Sequence, residues 1–268
     1  MLKIAFSPCP NDTTLFYPWV NGTLGKELPI DPTLADIQRL NEMAKTGAYD
    51  LIKVSFACLG EILDQYDLFP CGAALGYHCG PKIIATLPLS FDEIAGKRIA
   101  IPGKNTTAHL LFDLFTSQIP SEKIFCPYNK ILPLLKEGCA DCGVIIHESR
   151  FTFKAEGFYE IADFGTLWHN KIDLPLPLGC LAVSKTLTEK TRNHISSILR
   201  ECYLLISKNP QFSRDYVLTH SQEKDPEVIQ QHIKLYVTEE TYQLSDKGKK
   251  SIETFLALKA CLSSFGNA

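Results

Sequence analysis

A histidine that closes an apolar strand can take a proton from a ligand bound at the strand end. In this chain Cys142-Gly143-Val144-Ile145-Ile146 runs directly into His147-Glu148-Ser149-Arg150. A ring at the mouth of a buried strand is partly desolvated, which favours the neutral imidazole that a general base needs. The same placement fits a histidine held for structure alone, so local sequence leaves both roles open. A second stretch, Gly103-Lys104-Asn105-Thr106-Thr107, reads as a turn opening a helix. Helix starts have unpaired N–H groups and a partial positive charge, and the hydroxyls of Thr106 and Thr107 would add two donors. That suits a carboxylate or phosphate, or else is an ordinary cap after a glycine turn. The spacing is not that of a P-loop.

Two further places carry polar groups at strand ends. Asp50-Leu51-Ile52-Lys53-Val54-Ser55 puts a lysine inside an apolar run and a serine at its end. Lys53 either reaches toward an anion or carries its ammonium to the surface on an apolar stem. Ser7-Pro8-Cys9-Pro10-Asn11-Asp12 follows the first strand. Two prolines stiffen this turn and lower the entropy lost in fixing it. Asn11 or Asp12 can cap the helix that follows and offer polar atoms to a ligand. His78, His109 and His169 are further histidine candidates, with His78 beside the Gly76–Gly80 turn and His109 in the first turn of the GKNTT helix. Cys139-Ala140-Asp141-Cys142 is a C-x-x-C without a second pair, so neither a structural zinc nor a thioredoxin-like redox pair is indicated. There is no G-x-S-x-G elbow.

The elements that would position these groups alternate strand and helix. Strands are expected at residues 2–6, 50–55, 81–86, 98–101, 142–146 and 180–184, with a strand–helix pair within 123–138. Helices are expected at 11–20, bent or ended by Pro18, and at 36–44, capped by Asp36 and closed by Gly47. Others are expected at 56–63 and 108–117, and through the chain after 188. Ile195, Ile198, Leu199, Cys202, Leu205 and Ile206 form one apolar stripe; Val228, Ile229, His232, Ile233 and Tyr236 form another. Such alternation predicts an α/β fold with mostly parallel sheets. Crossings near 90 and 178 predict a discontinuous first lobe, 1–90 plus 178–268, and an inserted lobe, 91–177. A ligand would then sit in the cleft between them, at the carboxyl ends of strands.

With 268 residues, 45% hydrophobic and 21% charged, the chain has an ordinary globular composition and can bury a large core unaided. A net charge of −3 with no long basic run points to no nucleic acid and no anionic membrane surface. No apolar stretch approaches the ~20 residues that span a bilayer. Leu2–Phe6 is too short for a signal-peptide core, so a cytoplasmic location with mostly reduced cysteines is expected. Oligomeric state is not legible here.

Several of these residues occur together in one family. Ser7-Pro8-Cys9-Pro10-Asn11-Asp12-Thr13, Leu40-Asn41…Gly47…Asp50, Lys53-Val54-Ser55, Ala74-Leu75-Gly76…Gly80-Pro81, Thr106-Thr107-Ala108 and Ile146-His147-Glu148…Arg150-Phe151-Thr152 appear in order. The chain resembles the 1,4-dihydroxy-6-naphthoate synthases of the futalosine route to menaquinone, from residue 3 to about 182. The resemblance implies a two-lobed fold similar to type II periplasmic binding proteins, with a helical C-terminal segment. It implies a lyase reaction, cleavage of cyclic de-hypoxanthinyl futalosine to 1,4-dihydroxy-6-naphthoate. The family's histidine base falls on His147, and no metal or redox cofactor is required. It further implies a small-molecule substrate bearing a carboxylate. Strand-end placement then assigns Ser55, Thr106, Thr107, Asn41, Asn11 and Lys53 to substrate binding, with Asn41 and the SPCPND backbone also shaping the cleft. Tyr77-His78 departs from the more basic or smaller pair expected in its turn. Chorismate dehydratase, which acts earlier in the same route, is the alternative enzyme; it lacks the SPCPND opening. A non-enzymatic solute-binding protein shares the fold but normally carries an export signal. A transcription-regulator effector domain would follow a helix-turn-helix segment that this sequence does not show.

Overall fold

The structure is a computed structural model that describes residues 1–116 and 122–265. Along the chain run β1 (Leu2–Phe6), α1 (Pro10–Val20), β2 (Ile30–Leu34), α2 (Ile37–Ala44), β3 (Leu51–Ser55), α3 (Phe56–Leu59), β4 (Tyr66–Leu68) and β5 (Ala74–Gly76). Then come β6 (Lys82–Ala85), β7 (Arg98–Ile101), α4 (Thr107–Phe115), β8 (Glu122–Phe125), α5 (Ile131–Lys136), β9 (Cys142–Ile145), α6 (Ser149–Thr152), β10 (Tyr159–Asp163) and α7 (Phe164–Ile172). The last elements are β11 (Leu176–Ser184), α8 (Glu189–Lys208), α9 (Arg214–His220), α10 (Pro226–Tyr236), α11 (Glu239–Tyr242) and α12 (Asp246–Phe265). The expected end of the fourth helix, Ser117, lies outside the described residues.

The chain divides into two units, Met1–Leu75 with Leu178–Lys249, and Gly76–Pro177 with Lys250–Ala268. The first division falls before β6 and not near 90, because β6 pairs with β9 and β10 of the second sheet. The C-terminal 19-odd residues likewise belong to the second unit, where Ser251 Oγ donates to Pro175 O at 2.5 Å and Phe255 packs on Trp168.

The first unit's sheet has the order β2-β1-β3-β11-β4, with β5 paired to β11. β1 runs parallel to β2 and β3, while β11 is antiparallel to β3 and β4. The second unit's sheet has the order β10-β6-β9-β7-β8. β7 is parallel to β8 and β9, and β6 is antiparallel to β9 and β10. The sheets are therefore mixed, which corrects the expectation of mostly parallel ones. Helical crossovers force β1, β2 and β3, and likewise β7, β8 and β9, to run the same way. β11 re-enters the first sheet after the second unit's five strands and carries no such constraint.

Local chemistry explains most element boundaries. Pro10 opens α1 at a position whose N–H would be unpaired anyway. Pro18 does not end that helix: Leu15, Phe16 and Trp19 are buried in the first unit's core with Ile198, Leu199 and Cys202 of α8. Asp36 caps α2 by accepting from Gln38 N and Arg39 N at 3.0 and 3.1 Å. β2 contains Pro32 and occupies the sheet edge, the place a strand tolerates a missing donor. α3 is a single turn, shorter than expected. Both C-terminal stripes face inward, with Ile195, Ile198, Leu199 and Cys202 buried on α8 and Ile229, His232 and Tyr236 on α10. In the second unit, Ile84, Ala100, Ile131, Ile145, Phe153 and Phe158 make the core. Among the described residues no helix is long and apolar enough to cross a membrane.

All ten cysteines are free thiols. Burial pushes Cys71 and Cys202 up to about 12, and Cys79 and Cys142 to about 11. Thiolate is the reactive form. Native protein treated with Ellman's reagent at pH 8 is thus expected to release colour quickly only from the exposed Cys139 and Cys261. The buried thiols should follow after denaturation. Rapid titration of all ten in native protein would refute the burial pattern.

Candidate functional site

The carboxyl ends of β1 and β3 place one cluster of polar side chains in the first unit. Its centre is Asp12, in the first turn of α1 and 1% exposed. One carboxylate oxygen accepts from Ser7 Oγ at 2.8 Å and from Ser7 N at 3.2 Å. The other accepts from Asn11 Nδ2 at 2.8 Å and pairs with Lys53 Nζ at 2.9 Å. Lys53 also donates to Gly72 O at 3.0 Å. A buried charge is tolerated when paired and hydrogen-bonded, and both members of this pair are. Lys53 thus does not carry its charge to the surface; its ammonium is held inside on Asp12 and Gly72 O. Its partner is Asp12, five strand-turn residues beyond Ser7, a contact no local pattern reveals. The cap expectation also changes: Cys9 occupies the N-cap without a side-chain bond, and Asp12 reaches back to Ser7 instead.

Asn41 is wholly buried and holds Ser55 at both ends of its amide. Its Oδ1 accepts from Ser55 N at 2.8 Å, and its Nδ2 donates to Ser55 Oγ at 3.0 Å. That geometry directs the serine's own hydrogen away from Asn41. Asn41 is thus placed to orient Ser55. Asn11 is engaged at its other end too, because its Oδ1 accepts from His232 Nε2 on α10 at 3.1 Å.

In the second unit the parallel strands β7, β8 and β9 release their following loops at one edge of the sheet. Open α/β sheets bind ligands at that edge. The loop after β7 turns at Gly103, whose φ of 95° favours glycine. Thr106 then caps α4. Its hydroxyl donates to Gly103 O at 2.9 Å and accepts from His109 N at 3.3 Å. The hydroxyl of Thr106 thereby braces the turn that opens α4. Thr107, the first helical residue, is 4% exposed.

His147 stands in the turn between β9 and α6, half-buried, with φ 58°. This left-handed conformation is uncommon outside glycine, though histidine, asparagine and aspartate visit it more than other residues do. The turn is anchored by the residues that follow it. Phe153 lies in the core, and Arg150 donates to Gly80 O at 2.8 Å and to Asp163 Oδ2 at 3.1 Å. Asp163 is paired with Lys82 as well, at 3.0 Å. Arg150 therefore ties down the turn that carries His147. Tyr128, from the loop after β8, meets the imidazole edge-to-face with ring centroids 4.7 Å apart. Neither Tyr128 nor Asp163 is signalled by a motif; each could be found only by knowing which strands neighbour β9.

The remaining histidines separate from this set. His78, also at positive φ (53°), packs on His169 with ring centroids 3.6 Å apart. Their turn is shaped by close approach, since a Cβ on Gly165 would lie 2.1 Å from the carbonyl carbon of Cys79. His109 bonds Lys104 O through Nδ1 at 2.8 Å and meets Asp113 and Lys123 through Nε2, each at 3.2 Å. Burial holds its imidazole below the ordinary value, against the raising influence of the Lys104 carbonyl and Asp113. The unfolded chain then takes up a proton near pH 6.5 that the folded chain resists. Stability should accordingly fall as pH drops from 7 to 5.5, and His109→Gln should flatten that fall. Urea midpoints at the two pH values check it; an unchanged slope in the variant would remove His109 as the source. Among the described residues no group of three or more His, Cys, Asp or Glu is placed to hold a metal ion.

The chain is similar to known proteins along nearly its whole length. A family model described as menaquinone biosynthesis matches residues 2–260. A 1,4-dihydroxy-6-naphtoate synthase of Streptomyces coelicolor is 38% identical over 263 residues, 97% of this chain and 93% of that protein. Protein AF1704 of Archaeoglobus fulgidus, solved by X-ray crystallography, is 26% identical with a TM-score of 0.93, covering 98% of this chain and 97% of that one. The alkanesulfonate-binding protein SsuA of Xanthomonas axonopodis pv. citri shares the fold at 16% identity, with a TM-score of 0.66 over 88% of this chain and 83% of that one. The fold is that of the periplasmic binding proteins, with a helical C-terminal segment.

Proposed function

The chain belongs to the menaquinone-biosynthesis family, and from that premise we propose that it cleaves cyclic de-hypoxanthinyl futalosine to 1,4-dihydroxy-6-naphthoate. His147 takes a proton from the bound substrate. Elimination and carbon–carbon cleavage follow, a sugar-derived fragment leaves, and the new ring aromatises. The enzyme on this reading is a cytoplasmic carbon–carbon lyase acting on a small molecule that bears a carboxylate.

The observation that carries the reading is the setting of His147. It is half-buried in an anchored turn at the carboxyl edge of three parallel strands, with Tyr128 against its ring. That setting meets the positional requirement for a base, and the name of the relatives supports the reaction. Substrate contacts are assigned to Thr107 and Ser55, each at the carboxyl edge of its own unit's sheet. Asn41, Asn11, Lys53 and Thr106 are assigned to holding those edges in shape.

The test is direct. Purified protein is incubated with cyclic de-hypoxanthinyl futalosine, and 1,4-dihydroxy-6-naphthoate is followed by liquid chromatography with mass detection. Product in proportion to enzyme supports the reading. No product, followed by turnover of chorismate, would replace it with the dehydratase; binding without turnover of either would make the chain a solute-binding protein.

A further inference from the structure

The C-terminal helices carry little motif, yet one of their polar residues is buried against the stiff turn after β1. His232 sits in the apolar stripe of α10 and is 1% exposed. Stripe positions are ordinarily filled by apolar side chains. Its Nε2 donates to Asn11 Oδ1 at 3.1 Å. Asn11 passes the connection on, donating through Nδ2 to Asp12 Oδ1 at 2.8 Å. Asp12 then binds Ser7 and Lys53. A second bond joins the next turn of α1 to the same helical segment, between Thr14 Oγ1 and Ser213 Oγ at 2.5 Å.

We infer that His232 is a positioning residue for the turn of residues 7–12, fixing the side chain of Asn11 from α10 so that Asp12, Ser7 and Lys53 keep one arrangement. The reason lies in what each partner can do. An amide can rotate about its terminal torsion and exchange its oxygen and nitrogen. With Oδ1 held by an imidazole N–H, Nδ2 has to face Asp12, and the carboxylate receives a fourth donor. Without His232, Asn11 Oδ1 loses its buried donor and the amide is free to turn away. Buried side-chain networks of this kind can be worth more than the sum of their pairs. The helical segment thereby contributes to the strand-end turn as well as to the core.

The catalytic consequence rests on the reaction proposed above; the effect on the turn does not. Two variants separate them. His232→Leu keeps apolar packing and removes the donor, whereas His232→Gln returns an N–H at similar reach. Hydrogen exchange of peptides covering residues 7–16 is expected to quicken about tenfold in His232→Leu, the loss of roughly one hydrogen bond, and to return toward wild type in His232→Gln. In the cyclic de-hypoxanthinyl futalosine assay, kcat/KM should fall about tenfold in the first variant and recover in the second. Wild-type exchange of residues 7–16 in a folded His232→Leu overturns the inference. If wild-type protein makes no product while exchange responds as expected, the proposed reaction fails and the positioning role stands. Equal losses in both variants would make His232 a packing residue and overturn the inference as well.

Discussion

His147→Asn is expected to lower kcat for 1,4-dihydroxy-6-naphthoate formation by about 10²- to 10⁴-fold, the range a positioned general base supplies. Asparagine is the informative replacement. At φ 58° the backbone at this position is left-handed, and alanine there would pay about 1–2 kcal/mol for its Cβ. Asparagine tolerates that conformation, keeps a polar side chain, and cannot act as a base. The melting temperature should therefore stay within a few degrees of wild type while turnover collapses. KM should change little, because a group that acts by taking a proton works mainly in the transition state. A kcat within threefold of wild type, in a folded variant, would remove the base from position 147. Tyr128→Leu gives a graded companion result. It removes the ring lying 4.7 Å from the imidazole and leaves the base in place, so it should cost less than His147→Asn does.

The parts of the structure legible in the sequence were those decided by near neighbours. Asp36 caps α2 because a short carboxylate before a helix can reach the second and third N–H groups. The stripes of α8 and α10 face inward because their period is helical. His147 at the end of β9, and the turn after β1, are equally local. What escaped was decided by pairing across long separations. Pro32 disguises β2, which is a strand only because β1 satisfies one side of it. β6 looks as though it belongs with the strands before it, yet it pairs with β9 and β10, and that moves the division of the chain to residue 76. The fold also gives Thr106 a partner that its residue type does not announce, Gly103 O. The same holds for Lys53, Asn41 and Asn11. Their residue types announce polar chemistry, but only the fold reveals that their partners are Asp12, Ser55 and His232. Polar residues near a site divide into those that meet a ligand and those that hold the first group still. Sequence gives their presence and not that division.

Lys53→Met should unfold the first unit more readily than almost any other single change near the site. The side chains of Lys53 and Asp12 are 6% and 2% exposed, so removing the ammonium leaves a carboxylate buried with its main counter-charge gone. Breaking such a pair from one side typically costs about 3–5 kcal/mol, corresponding to a fall in melting temperature of roughly 10 °C for a unit of this size. Asp12→Asn combined with Lys53→Met should regain much of that loss. The asparagine is neutral and still accepts from Ser7, and methionine fills the lysine's apolar path. The exposed pair Arg39–Glu42 is the control: its side chains are 63% and 46% exposed, and its removal should barely register. Salt separates the two cases further, since mobile ions screen the exposed pair and do not reach the buried one. Calorimetry of the four proteins at low and high salt measures all of this. A Lys53→Met variant as stable as wild type would mean that Asp12 needs no counter-charge. The turn of residues 7–12 would then be held by its prolines and backbone alone, and the buried pair would lose its role in shaping the site.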